Sequence, residues 1–158
     1  MRQITFSMCD EWVVGAGAAA RLRVNYNIHE QLSDPVQRLF IAAKPLSYFR
    51  PHRHPGKSEF AIVIRGLFDV LVFNDEGIVT QRASIGAKSD AFGLEIPADV
   101  WHTWISRDDS SVFFEVKQGP YDPVTSVQFA DWSPREGTDR VRAFQDKLLM
   151  AGIGESVA

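Results

Sequence analysis

The sequence contains one cysteine, Cys9, so no intramolecular disulfide can form and no thiolate cluster is available to a structural zinc site. It has no Lys/Arg block. With 17 basic against 20 acidic residues, a net charge of −3 and a pI near 5.8, it lacks the basic footprint of a nucleic-acid-binding protein. Long apolar runs are also missing. No stretch approaches the ~20 apolar residues of a membrane span, and Met1-Arg2-Gln3-Ile4-Thr5-Phe6 has no apolar core for a signal peptide. These absences read as a cytoplasmic protein with neither nucleic acid nor membrane as partner. Repeats and low-complexity segments are lacking as well. The chain does have 45% hydrophobic and 23% charged residues over a length of 158. That suits one domain, 1–158, able to bury a core.

Histidine is scarce too, and the positions of the four histidines carry the main signal. His52 and His54 are two apart, so on a strand both rings leave one face. After the turn-like Pro55-Gly56-Lys57-Ser58, Glu59 opens the apolar run Phe60-Ala61-Ile62-Val63-Ile64, a strand ending at Gly66. A hairpin there returns the carboxylate to the imidazoles. His102 stands downstream, five residues after Pro97. Three imidazoles and a carboxylate suit one divalent first-row metal per chain, with Fe, Mn, Ni, Co, Zn and Cu all open.

Strand parity extends the site. If His52 and His54 face inward, so do Tyr48 and Arg50; from Glu59, so do Ala61, Val63 and Arg65; from His102, so do Val100 and Trp104. Arg50 would hold an anion through its planar fork. Tyr48 would serve as acid/base or orienting group, and Arg65 and Trp104 would contact a small-molecule anionic ligand. Arg53 points away. On the last barrel strand Glu115 and Lys117 share a face with Phe113; they lie outside or in a pocket wall, with outside the default, because unpaired buried charge is costly.

Along the chain, Asp10–Ala20 reads as a short helix with Asp10 as N-cap. Arg21–His29 alternates, with Leu22, Val24, Tyr26 and Ile28 on one face and Arg23, Asn25, Asn27 and His29 on the other. That polar row either meets solvent or lines a ligand pocket, its own or a neighbouring subunit's, which would make Asn25, Asn27 and His29 substrate contacts. Asp34-Pro35 with Gln37 has the form of a helix start, predicting a helix to about Ala43. Strands follow at 46–54, 59–65, 68–74, 78–81, 91–96, 102–106 and 111–117, with Asp75-Glu76-Gly77 as a hairpin turn and 127–129 as an edge strand. Ser133-Pro134-Arg135-Glu136 predicts the start of a terminal helix burying Val141, Phe144, Leu148 and Met150 or Ala151. The expectation is an all-β antiparallel barrel over 46–130, a short N-terminal α/β extension over 1–45 and a C-terminal helix over 131–158.

The spacing His52-x-His54-x4-Glu59-x6-Gly66 followed by Pro97-x4-His102 resembles the two metal-binding motifs of the cupin superfamily, with Asp99 in place of a common turn glycine and Ser106 in place of a common asparagine. More closely, Asp34–Arg38, Ser47–His54, Glu115–Tyr121 and Trp132–Glu136 resemble the WbuC family of cupin-fold metalloproteins, over nearly the whole chain. The resemblance implies a cupin jelly roll. It also implies a role around O-antigen (lipopolysaccharide) or related polysaccharide biosynthesis, as a metalloenzyme on a polar, anionic, sugar-like substrate, with isomerisation, epimerisation, hydrolysis and dioxygenase chemistry open, or as a non-catalytic ligand-binding or accessory cupin. Phe60, Ile62 and Ile64 leave the outer face of their strand and need cover. The pairing common among cupins makes a homodimer the expectation.

Overall fold

Short alternating segments punctuated by Gly, Pro and Asp build ten strands in the computed structural model, which describes residues 1–158. In chain order the elements are α1 (Phe6–Ala18), β1 (Arg23–Asn27), β2 (Val36–Ala43), β3 (His52–Arg53), β4 (Glu59–Arg65), β5 (Leu67–Phe73), β6 (Val79–Gly86), β7 (Gly93–Ile96), β8 (Trp101–Ser106), β9 (Ser111–Gln118), β10 (Gln128–Phe129) and α2 (Arg140–Met150). They form two antiparallel five-stranded sheets, in the orders β1-β2-β9-β4-β7 and β10-β3-β8-β5-β6. Leu39, Ile41, Ala61 and Phe113 of the first sheet meet Phe68, Val70, Ile85 and Trp104 of the second in one buried cluster.

Each sheet's outer face is apolar and each is roofed by a helix. α1 covers the first sheet over Phe40, Ala42 and Val112, with Val24, Tyr26 and Ile64 at the margin. α2 lays Phe144 and Leu148 on the second, against Tyr48, Leu71, Phe73, Trp101 and Ile105. Each fully buried side chain of this size contributes roughly 1.5–3 kcal/mol. Gly66 joins β4 to β5 at φ +73°, and a Cβ there would lie 2.5 Å from Ser111 Oγ. Only glycine satisfies both the left-handed turn and that approach.

Several elements differ from the sequence expectation. The predicted helix over Asp34–Ala43 is strand β2, flanked by β1 and β9. Leu39–Ala43 is buried on both faces, and such a strand reads as a continuous apolar run that periodicity cannot separate from a helix. The Asp34 carboxylate accepts from Glu30 N and the Gln37 amide donates to Leu32 O and Asp34 O, so both close a turn. β1 and β2, placed by sequence in an extension, are thus integral strands of the first sheet. α1 starts earlier than Asp10 because Thr5 caps it, accepting from Met8 N at 3.4 Å. α2 starts later than Ser133: Ser133 is buried and bonded to Ala130 O, and the helix opens only at Arg140. Of the two alternatives at its end, Ala151 is buried and Met150 exposed.

Candidate metal centre and cavity

β3 and β8 pair with His52 opposite His102, and His54 follows where the chain leaves β3. Glu59, the first residue of β4, reaches in from the facing sheet. A backbone carbonyl orients each ring at Nδ1: Arg50 O at 2.9 Å for His52, Ser126 O at 2.8 Å for His54 and Val100 O at 2.9 Å for His102. A carbonyl only accepts, so Nδ1 carries the hydrogen and the lone pair sits on Nε2. The ligating atoms of the three rings lie within 4.8 Å of one another. Glu59 Oε2 is 3.0 Å from His54 Nε2, and Glu59 Oε1 is 3.1 Å from His102 Nε2.

All four of those Glu59, His54 and His102 atoms are buried without a hydrogen-bond partner. Lone pairs facing a carboxylate at contact distance require a cation between them. In the metal-free chain a proton answers that need: burial opposes charge on His102, but the Glu59 carboxylate outweighs it and raises the imidazole above its ordinary range. Burial likewise pushes Glu59 toward protonation, yet the charge of the facing His102, with that of Lys117, holds it well below the usual carboxylate range. Burial, and then the charges of His102 and His54, keep His52 neutral. Three oriented neutral nitrogens, a carboxylate and orphaned buried lone pairs also fit a divalent first-row ion, which would be held by His52, His54, Glu59 and His102.

The turn beneath this group accommodates its non-glycine residue. Asp99 adopts φ +65°, a region Asp tolerates better than most, and is pinned where Gly56 N donates to its Oδ1 at 3.2 Å and its own N donates to His54 O at 3.1 Å.

The centre opens on a cavity of about 320 Å³ between the sheets. Its wall on the first sheet follows the strand register. Gln37, Lys117 and Glu59 form one row across β2, β9 and β4; Asn27, Leu39, Glu115 and Ala61 form the next. Lys117 Nζ pairs with Glu115 and lies 4.0 Å from Glu59 Oε2. The default expectation of an outward Glu115/Lys117 face is therefore overturned: both line the cavity, and the pairing is what allows the burial. The β1 face of Arg23, Asn25, Asn27 and His29 lines the same chain's cavity, with Asn25 and Asn27 exposed at its open side and His29 buried.

Two predicted site residues lie elsewhere. Tyr48 is buried against Phe144 and donates to Pro134 O at 3.0 Å; burial pushes its phenol up, away from proton transfer. Regular strand exists only at His52–Arg53, so period-two parity does not reach Tyr48. Arg65 pairs with Asp10 of α1 on the outer face because a β-bulge between Val63 and Arg65 shifts the register. Arg50 lines the cavity, but its guanidinium donates to Ser133 Oγ, Ala130 O and Ser133 O at 3.0–3.1 Å and lies over the Phe129 ring. Trp104 is in the floor, stacked 4.4 Å from Phe113. Arg23 and Glu136, not anticipated as site residues, close one end: Glu136 binds Arg21 at 2.7 Å and Arg23 at 2.6 Å. The β1 alternation carried the signal for Arg23; none in the sequence pointed to Glu136.

A family model described as a domain of unknown function (DUF6016) matches residues 4–85. The chain belongs to that family. In this DUF6016 member the matched region runs from α1 into β6 and includes His52, His54 and Glu59. No curated protein matches the chain. Similar solved structures include the Lactobacillus farciminis oxalate decarboxylase in a formate complex (19% identity, TM-score 0.50, covering 66% of this chain and 30% of that one). The capsular polysaccharide assembling protein CapF from Staphylococcus aureus is another (18%, 0.52, 66% and 31%). So is an oxalate oxidase in complex with glycolate (15%, 0.51, 73% and 58%). This chain thus spans about a third of the first two and somewhat over half of the third. The likeness is one of fold, and the fold is the cupin jelly roll.

Proposed function

We propose that this chain is a metal-dependent cupin enzyme acting on a polar, anionic, sugar-like small molecule, and that it belongs with the WbuC-like cupins in O-antigen, lipopolysaccharide or related polysaccharide biosynthesis. The observation that carries the proposal is the convergence of three carbonyl-oriented imidazoles and the Glu59 carboxylate, with orphaned lone pairs, at the edge of a cavity of about 320 Å³ whose wall includes His52, His54 and Glu59. Charge supports an anionic ligand. Arg21, Arg23, Arg50 and Lys117 line the cavity against Glu59, Glu115 and Glu136, an excess of one positive charge that a divalent ion raises to three. Fold likeness to a capsular polysaccharide assembling protein agrees with a sugar-related role.

A divalent ion held by the four ligands supplies Lewis acidity toward a carbonyl or hydroxyl, or activates water. Lys117, beside Glu59, holds ligand negative charge: burial opposes its charge, but the paired Glu115 and the nearby Glu59 keep the ammonium protonated. Arg50 contributes potential from behind, its donors being committed to the 130–133 segment. Anaerobic purification with elemental analysis, joined to a turnover screen over sugar acids, tests the proposal. One divalent metal per chain is expected, lost on chelation and in His54→Ala and His102→Ala with circular dichroism retained; full occupancy in both variants overturns the ligand set. Binding without conversion assigns the accessory role, and oxygen consumption by the iron form assigns a dioxygenase.

The proposal extends to a cytoplasmic homodimer. No helix is long and apolar enough to cross a membrane. α1 covers Ile64, but Phe60 is 49% exposed on the outer face of the first sheet. Sedimentation at micromolar concentration is expected to give a dimer; a monomer overturns the extension.

A further inference from the structure

Six buried side-chain polar atoms in the protein have no hydrogen-bond partner. Four belong to Glu59, His54 and His102, and a fifth, Glu115 Oε1, contacts the Lys117 ammonium. The sixth is Nε2 of His29, and nothing in the metal centre accounts for it. His29 is only 6% exposed, and it lines the cavity at the β1 edge. Its other nitrogen is satisfied: Nδ1 lies 3.0 Å from both the amide nitrogen and the carbonyl oxygen of Arg38. That bridge fixes the ring without fixing its tautomer, so Nε2 is left either as a donor or as an acceptor. An unmet buried polar atom of this kind costs free energy unless a ligand or water answers it. A hydroxyl group, which donates and accepts, answers either tautomer.

We propose that the cavity has a second pole at His29, which binds a hydroxyl at the far end of an elongated hydroxylated carboxylate whose acid end lies at the His52–His54–Glu59–His102 centre. Register sets the length of that ligand. Asn27, on the same face as His29 and two residues before it, pairs with Leu39, which pairs with Glu115, which pairs with Ala61 two residues from Glu59. From β1 to β4 is three strand spacings, roughly 14 Å along the sheet. That separation is between backbones; the inward reach of the side chains, a metal–oxygen bond of about 2 Å and a hydrogen bond of about 3 Å all come off it, leaving at most roughly 9 Å to span. A two-carbon acid cannot bridge that gap; an extended sugar acid of six carbons can, and the volume admits it. Asn25 and Asn27, exposed along the same wall, suit the intervening hydroxyls, because an amide both donates and accepts. The wall between the poles also carries Leu39 and Phe113, which fits the carbon skeleton of such a chain.

The inference rests on the proposed reading of the metal end, and the experiment separates the two. Glycolate and gluconate share an α-hydroxy acid head and differ in length. Calorimetric titration of each into metal-loaded wild type and His29→Asn is the test. Asparagine preserves a polar group near the Arg38 backbone and withdraws the atom at Nε2. Wild type is expected to bind gluconate at least about tenfold more tightly than glycolate, the scale of one or two well-placed hydrogen bonds. His29→Asn is expected to lose most of that gain while its glycolate affinity stays within about twofold. Equal affinities in the wild type overturn the second pole whatever the variant does, and so does a preference for gluconate that survives in folded His29→Asn. Failure of both acids to bind the metal-loaded protein overturns this proposal together with the reading of the metal end, whereas glycolate binding without any gain for gluconate overturns this one alone.

Discussion

The inner face of β9 passes from one kind of interior to another within four residues. At Phe113 the cavity reaches its floor and the space beneath is closed: the ring stacks 4.4 Å from Trp104 and meets Phe68 edge-on at 5.1 Å, with Ile85 and Val70 behind. At Glu115 and Lys117 the same strand faces buried carboxylates, imidazole lone pairs and a cavity. The two halves have opposite energetics. The first gains from burial, and the second holds groups that oppose folding unless a cation or ligand answers them. A site of this kind is stable because the neighbouring half is packed like an ordinary core.

The largest expected effect follows from that division. Phe68 is fully buried and touches the closed half without lining the cavity. Phe68→Ala is expected to lower unfolding free energy by about 3–5 kcal/mol in urea titration, while metal per folded chain remains that of wild type. Loss of metal at a small stability cost would mean that the halves are not separable.

The closed half and the convergence of His52, His54, Glu59 and His102 were the most legible parts of the sequence, for one physical reason. β4 runs regularly as far as Val63 and β8 throughout, so parity from Glu59 or His102 lands on Ala61, Val63 and Trp104. Legibility failed where regularity did. Tyr48 precedes a two-residue strand, and Arg65 follows a bulge. β2 hid because both of its faces are covered, by α1 outside and the core inside. Glu115 and Lys117 were visible as a charged face of a core strand, but their acceptance inside depends on a mutual ion pair and on Glu59 arriving from β4. Spacing does not encode that convergence.

An intermediate effect tests the role of Arg50 at the border between the halves and the segment over the cavity. Its planar fork is spent on Ser133 Oγ and the carbonyls of Ala130 and Ser133, so it fastens residues 130–133 to the segment that leads into β3. A lysine keeps the charge but cannot make all three contacts. Arg50→Lys is therefore expected to lose about 1–3 kcal/mol of stability with glycolate affinity nearly unchanged. The opposite result, weakened glycolate binding at wild-type stability, would return Arg50 to direct anion contact between metal and ligand.

The smallest expected effect is at Arg65, and it bears on whether backbone geometry or residue type decides membership of the site. By residue type Arg65 is as good an anion contact as Arg50, and unbroken parity from Glu59 would point it inward through Ala61 and Val63. The bulge removes it. Past Val63, the pairing advances one residue less on β9 than on β4, with Val63 opposite Phe113 and Arg65 opposite Val112. Ile64 goes under α1, and the Arg65 guanidinium reaches Asp10 in solvent. Exposed ion pairs of this kind contribute little, since water screens both charges and two long side chains must be held still. Arg65→Ala is thus expected to leave glycolate affinity and metal content at wild-type values and the melting temperature within experimental scatter. A clear drop in glycolate affinity would mean that the arginine reaches the cavity in solution. The inward row of β4 would then extend past Val63, and the division of the interior would lie one residue pair further along the sheet.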